Sequence, residues 1–205
     1  MKKVELKANE RLDDLMYQGR HIIQNTQEFC FSLDAVLLAH FMSYKSRQKV
    51  LDLGTGTGVM PLLIADAVTR VDAIEISPVM AELAARNVAM NELADKIFVR
   101  QGDYRSIREL YQAESFDVVL ANPPYRPVAH GQVNKMSGVA RARHEFTATL
   151  RDVVAAASFI NSASSIKITQ LVAKTGRLPA FNCISRICSM RIMPADLSRF
   201  SGNTS

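Results

Sequence analysis

Four short apolar runs, Lys49–Leu53, Val71–Ile76, Lys96–Arg100 and Phe116–Ala121, are separated by helix-like segments rather than by tight turns. Such alternation leaves few folds open. Strands joined by helical crossovers pair in parallel and need helices on both faces of the sheet. The crossovers are expected to be right-handed, and a ligand of such a sheet binds beyond the C-terminal ends of its strands. The connecting segments carry their own signals. Gly58 to Val68 is apolar and reads as a helix. Ser77-Pro78 supplies an N-cap and a first-turn proline, and Met80, Leu83, Ala84 and Val88 share one face of the helix behind it. A short helix is expected near Arg105–Tyr111.

The residues with chemistry cluster where these strands end. Asn122-Pro123-Pro124-Tyr125 directly follows the run Phe116–Ala121. Two consecutive prolines lock φ and remove two N–H donors, so the strand stops there with free carbonyls. The Asn122 amide offers an acceptor and a donor, and Tyr125 a flat ring. Together they suit a planar group bearing an NH2, although Asn-Pro pairs also occur in plain turns. Asp52-Leu53-Gly54-Thr55-Gly56-Thr57-Gly58 lies between the first strand and first helix. Its glycines let the backbone turn sharply and approach a ligand without Cβ obstruction. The spacing Gly-x-Gly-x-Gly departs from the dinucleotide fingerprint Gly-x-Gly-x-x-Gly. Asp52 suits a cationic ammonium group, Glu75 a pair of ribose hydroxyls, and Asp103 an adenine amino group. A cofactor with an amino acid, a ribose and an adenine but no phosphate is S-adenosylmethionine. Helix capping or turn formation would equally employ Asp52 and Asp103, and a helix-dipole role would employ Glu75.

Upstream, His21–Gln24 and Phe29–Phe31 flank Asn25-Thr26-Gln27-Glu28, a pattern that predicts a short hairpin. Ser32 predicts a helix start before Leu33–Phe41. The chain of 205 residues is 48% hydrophobic and 22% charged, enough for one large core. No apolar run reaches the roughly 18 residues of a membrane span, and the polar start is unlike a secretory signal. Cys30, Cys183 and Cys188 form no disulfide framework, which suits a cytoplasmic protein. They form no metal pattern either, and neither does His144-Glu145, which lacks a second His. From Ser158 to Ser205 there are six Lys or Arg and one acid, so this segment holds the whole net charge of +5. A basic tail suits phosphates or a solvated face. Lys135, Arg141 and Arg143, on the loop after the prolines, likewise suit RNA phosphates or solvent.

These motifs resemble class I S-adenosylmethionine-dependent methyltransferases of the methyltransferase small domain group, and among them the bacterial tRNA adenine-N6 methyltransferases. The resemblance is carried by Glu10–Leu15, Ile22–Asn25, Phe29–Leu38, Val50–Gly58, Phe116–Tyr125 and Ala142–Glu145, and covers about residues 8–157. It implies a Rossmann-like α/β fold in three regions. Residues 1–48 form an N-terminal hairpin and helix cap, 49–175 the methyltransferase core, and 176–205 an atypical basic tail. It also implies that Asp52, Gly54, Thr55, Gly56 and Gly58 line the methionine end of the cofactor. Glu75 takes the ribose, Asp103 approaches the adenine, and Asn122, Pro123, Pro124 and Tyr125 hold the target amine.

The match fails after about Ala157. Ile166–Val172 reads as a fifth strand, but no strand pair is legible beyond Thr175, so the C-terminal strands are expected to be incomplete. A frameshift or truncation would account for that tail. The expected activity is N6 methylation of an adenine in tRNA by a monomer without metal or membrane. The motif alone also admits a protein glutamine or an rRNA guanine as acceptor, or a cofactor-binding protein without activity.

Overall fold

In the computed structural model, which describes residues 4–122 and 150–161 and the backbone of two further strands, the chain opens with an antiparallel hairpin. β1 (Glu10–Asp14) pairs with β2 (His21–Asn25), Glu10 opposite Asn25 and Asp14 opposite His21. The sequence pattern had placed the partner of His21–Gln24 at Phe29–Phe31, on the other side. The correct partner was hidden because β1 is built of charge and shows no apolar alternation. Its charges find partners within and beyond the strand: Arg11 pairs with Asp13 at 3.0 Å, Gln24 also donates to Asp13, and Arg86 grips Glu10 with two bonds of 2.6 and 2.9 Å. The Phe29–Phe31 segment instead runs into the next helix, with the Phe31 N–H donated to Gln24 Oε1 at 3.0 Å.

The hairpin turn is also anchored. Buried Arg20 donates to the Leu62 carbonyl and to Asp66 at 2.5 Å, placing a cation at the C-terminal end of a helix. After α1 (Leu33–Phe41) the expected alternation follows: β3 (Lys49–Leu53), α2 (Val59–Ile64), β4 (Arg70–Glu75), α3 (Pro78–Met90), β5 (Ile97–Gln101), α4 (Ile107–Leu110) and β6 (Val118–Ala121). The apolar stretch read as one helix to Val68 ends at Ile64 and passes through a 3-10 turn, Ala65–Ala67. Ser77 caps α3 by accepting from the Met80 N–H at 3.4 Å, with Pro78 in the first turn.

β5, β4, β3 and β6 form a four-stranded, all-parallel sheet in that order. Alternate residues feed two cores. Val50, Val71, Val118 and Leu120 pack with α1 and α2, while Leu51, Leu53, Ile74 and Val119 pack with Ile107 and with Val153, Ala157 and Ile160 of α5 (Leu150–Ile160). Helices therefore cover both faces, as the uninterrupted apolar strands require. Each fully buried Leu or Ile contributes about 1.5–3 kcal/mol.

β7 (Ile166–Gln170) falls where a fifth strand was expected and lies beside β6. It pairs antiparallel with β8 (Cys188–Ile192), inside the segment from which no strand had been legible. That run is short, but Cys-Ser-Met-Arg-Ile does alternate apolar and polar residues, the period of a strand.

Candidate active site

The strand order turns back on itself once. From β3 the chain builds outward through β4 to β5, then returns to add β6 on the opposite side of β3. In open α/β sheets the crevice at such a reversal is where ligands bind. Leu53 lies opposite Ala121 in the β3–β6 register, so Gly54 and Asn122 leave adjacent strands at one level. The glycine loop and Asn122, the described residue of the proline motif, thus flank this crevice. Asn122 is half-buried there, while Pro123, Pro124 and Tyr125, like Lys135, Arg141, Arg143 and His144-Glu145, lie outside the described residues.

The glycine loop is held by its backbone. The N–H groups of Gly54 and Thr55 both donate to the Ile74 carbonyl, at 2.9 and 3.0 Å, which folds the loop back over the end of β4. Gly54, Gly56 and Gly58 have φ of 74°, 59° and 82°, a region costly for residues with a Cβ. A Cβ on Gly54 would meet nothing within 4 Å, so this stretch faces open space. At Gly58 a Cβ would stand 3.4 Å from the Ala84 Cβ on α3, an ordinary van der Waals contact, so the positive φ is what favours glycine there. Gly58→Ala is therefore expected to lower stability by about 1–2 kcal/mol, measured by denaturant unfolding.

Glu75 closes β4 and ties the loop down. Its Oε2 accepts the Gly56 N–H at 2.8 Å and its Oε1 the Ser77 N–H at 3.0 Å. Burial raises its pKa, and the backbone donors of Ser77, Gly56 and Ile76 oppose the shift. Asp52 is fully buried one residue from the end of β3. Neither of its oxygens completes a hydrogen bond among the described residues. Desolvation pushes its pKa up to about 7; the nearby Thr55 hydroxyl pulls the other way without completing a bond, and the charge of Glu75 adds to the rise. The Thr55 and Thr57 hydroxyls are also buried without partners among the described residues. A buried carboxylate and hydroxyls lacking partners fit a ligand that brings a cation and hydrogen-bonding groups. These residues accordingly fit the amino-acid end of S-adenosylmethionine, and Glu75 fits its ribose.

Asp103 follows β5 at the same edge but is engaged. It caps the 3-10 turn Tyr104–Ser106 by accepting the Arg105 N–H at 2.8 Å, and it pairs with the Arg105 guanidinium, whose hydrogen bonds hold its pKa down. To meet an adenine amino group it has to share or release Arg105.

Two further residues near the loop escaped the sequence reading. The Tyr44 hydroxyl is buried without a partner among the described residues, and burial and then the charge of Asp52 raise its pKa. A tyrosine in a polar loop gives no warning of that. Asn87 is fully buried on α3 and donates to the Thr57 carbonyl at 2.9 Å. Its signal was present, as a polar residue on the helix face defined by Met80, Leu83, Ala84 and Val88.

A separate cavity of about 280 Å³, lined by Lys49, Arg70, Asp72, Tyr111 and Phe116 among others, opens at the opposite edge, where β3 and β4 begin. Its polar groups satisfy one another: Arg70 holds Asp72 at 2.5 and 2.9 Å, and Tyr111 donates to Asp72 at 3.2 Å. Among the described residues no cluster of His, Cys, Asp or Glu could hold a metal ion, and no helix is long and apolar enough to cross a membrane.

A parallel sheet with a glycine loop and carboxylates at its strand ends defines a Rossmann-like fold of the class I methyltransferase type. A putative transferase from Pyrococcus horikoshii shares the fold with a TM-score of 0.57 at 16% identity, over 88% of this chain and 60% of that one. Pyrococcus horikoshii TYW2 in complex with MeSAdo does so with a TM-score of 0.55 at 18% identity, again over 88% and 60%. The chain belongs to the methyltransferase small domain family, whose model matches residues 32–168. It is 32% identical over 162 residues to a tRNA1(Val) (adenine(37)-N6)-methyltransferase of Porphyromonas gingivalis, a match covering 72% of this chain and 61% of that protein. A protein of the same name from Haemophilus influenzae is 32% identical over 108 residues, or 51% of this chain and 46% of its own length. The chain thus spans about half to three-fifths of the length of these relatives.

Proposed function

We propose that the chain is an S-adenosylmethionine-dependent methyltransferase acting on the N6 amine of an adenine in tRNA, in the cytoplasm and as a monomer. The observation that carries this reading is the placement of Gly54 and Asn122 side by side at the point where the strand order reverses. The names of the relatives support the acceptor, adenine 37 of tRNA1(Val).

When bound, S-adenosylmethionine supplies a methyl group on an electrophilic sulfonium. The chain's residues supply position and charge. Asp52 meets the ammonium group, Glu75 accepts from the ribose hydroxyls, and Asp103 reaches the adenine. An exocyclic amine is a poor nucleophile because its lone pair is delocalised into the ring. Accepting its hydrogens on the Asn122 Oδ1 and the Pro123 carbonyl favours a pyramidal nitrogen with its lone pair turned toward the methyl group. This is positioning with preorganised acceptors, and it needs no general base before transfer. Pro124 stiffens the turn, and Tyr125 stacks on the base, a contact worth about 1–3 kcal/mol. The adenine reaches this crevice only when splayed out of its loop.

The test is transfer of labelled methyl to an unmodified tRNA pool, with mass mapping of the product. N6-methyladenosine in a valine tRNA is the expected result. Label on a protein glutamine or on rRNA guanine would replace the acceptor, and cofactor binding without transfer to any of these would refute the activity.

A further inference from the structure

Asn87 has no exposed surface and stands on the apolar face of α3. Its Nδ2 donates to the Ile23 carbonyl at 3.0 Å and its Oδ1 accepts the Ile23 N–H at 2.6 Å. One turn later Asn91 treats His21 the same way, donating to its carbonyl at 2.7 Å and accepting its N–H at 3.1 Å. Residues two apart on a strand present their backbone groups to the same side. The two amides therefore take the place of a further strand along the β2 edge that β1 leaves open. A helix spacing of four residues meets a strand spacing of two because each covers about 6–7 Å.

The two asparagines differ in one respect. Asn87 alone makes a further bond into the cofactor loop, from Nδ2 to the Thr57 carbonyl at 2.9 Å. Thr57 lies between Gly56, whose N–H is held by Glu75, and Gly58, whose N–H donates to the Thr55 carbonyl at 3.0 Å. The Thr57–Gly58 peptide is planar, so fixing its carbonyl and its N–H fixes the plane itself. The loop is thus clamped at two points, by Glu75 from the sheet and by Asn87 from α3. Because the same amide also holds Ile23, the second clamp ties the loop to the N-terminal hairpin.

We infer that Asn87 is a positioning residue for the cofactor, and that the hairpin is part of the cofactor-binding unit rather than an appended cap. The inference rests on reading Gly54–Gly58 as the S-adenosylmethionine loop. Asn87 touches no ligand itself; it sets the loop that does.

The test is calorimetric titration of the full chain with S-adenosylmethionine, for wild type, Asn87→Ala, the isosteric Asn87→Asp and Asn91→Ala. Loss of one buried donor leaves the Thr57 carbonyl unpaired, so both Asn87 variants are expected to bind about tenfold or more weakly. Asn91→Ala removes the matching bonds to the hairpin but none to the loop, and is expected to stay within about threefold of wild type. Unchanged affinity in the Asn87 variants, or an equal loss in Asn91→Ala, overturns the coupling. Amide exchange in the wild type decides the matter if the variants do not fold. Saturating S-adenosylmethionine is expected to slow exchange at Ile23 more than at His21, and an equal or absent effect overturns the coupling. A wild type that binds no S-adenosylmethionine at all refutes the underlying cofactor reading, a result distinct from failure of the coupling.

Discussion

Asn122→Ala is expected to reduce methyl transfer by roughly 10²–10³-fold, the cost of removing one preorganised polar group from a reacting centre. Affinity for S-adenosylmethionine should stay within a few-fold. The separation follows from the register. Asn122 follows β6, on the far side of the crevice from the loop after β3, and shares no hydrogen bond with Gly54–Gly58 or Glu75 among the described residues. Single-turnover transfer to tRNA, with the binding constant measured separately, distinguishes the two effects. Equal turnover in the variant would remove Asn122 from the chemistry.

Asp52→Asn should do the reverse, damaging binding while stabilising the empty protein. The carboxylate is buried and without a hydrogen bond among the described residues, and burial pushes its pKa up to about 7 against about 4 in an unfolded chain. Between those values the folded state keeps a proton that the unfolded state has already released. The contribution of Asp52 to wild-type stability therefore falls as pH rises from about 4 to 7 and levels off above. The Asn variant lacks this loss, so its melting temperature should exceed that of the wild type at about pH 8 and converge with it near pH 4. Cofactor affinity should drop at least roughly 30-fold, as expected when one member of a buried charge pair is neutralised. In the wild type the same affinity should rise between about pH 5 and 7 as Asp52 ionises. Calorimetry and thermal melts across this range check both halves, and a variant that melts lower at every pH would contradict the placement of an uncompensated charge here.

The parallel sheet was legible because β3, β4 and β6 are buried on both faces along almost their whole length, while the edge strand β5 showed itself only by the run Ile97-Phe98-Val99. The glycine loop was legible because three positive-φ positions admit little but glycine. Glu75 and Asn122 could be placed because the ends of strands fix where side chains gather. What stayed hidden was held by hydrogen bonds rather than by hydrocarbon. β1 is a strand of charged residues that owes its place to Arg86 and to pairing with β2, and Asn87 and Asn91 stand in for a strand that no apolar pattern announces. Asp103 shows the opposite problem. Capping and adenine contact ask for the same residue at the same position, and only the structure reveals Arg105 already on its carboxylate. Phe29–Phe31 read as a strand because its composition suits one, but the backbone that would have paired with it went to Glu10–Asp14.

The most direct measurement is a crystal structure of the chain with S-adenosylhomocysteine bound. The expected result is one ligand at the carboxyl edge of the sheet, its amino group on Asp52, its ribose on Glu75 and its sulfur facing the Asn122 amide. A ligand seated instead in the cavity beside Lys49, Arg70 and Tyr111, or a crevice between Gly54 and Asn122 filled by the protein's own side chains, would contradict it.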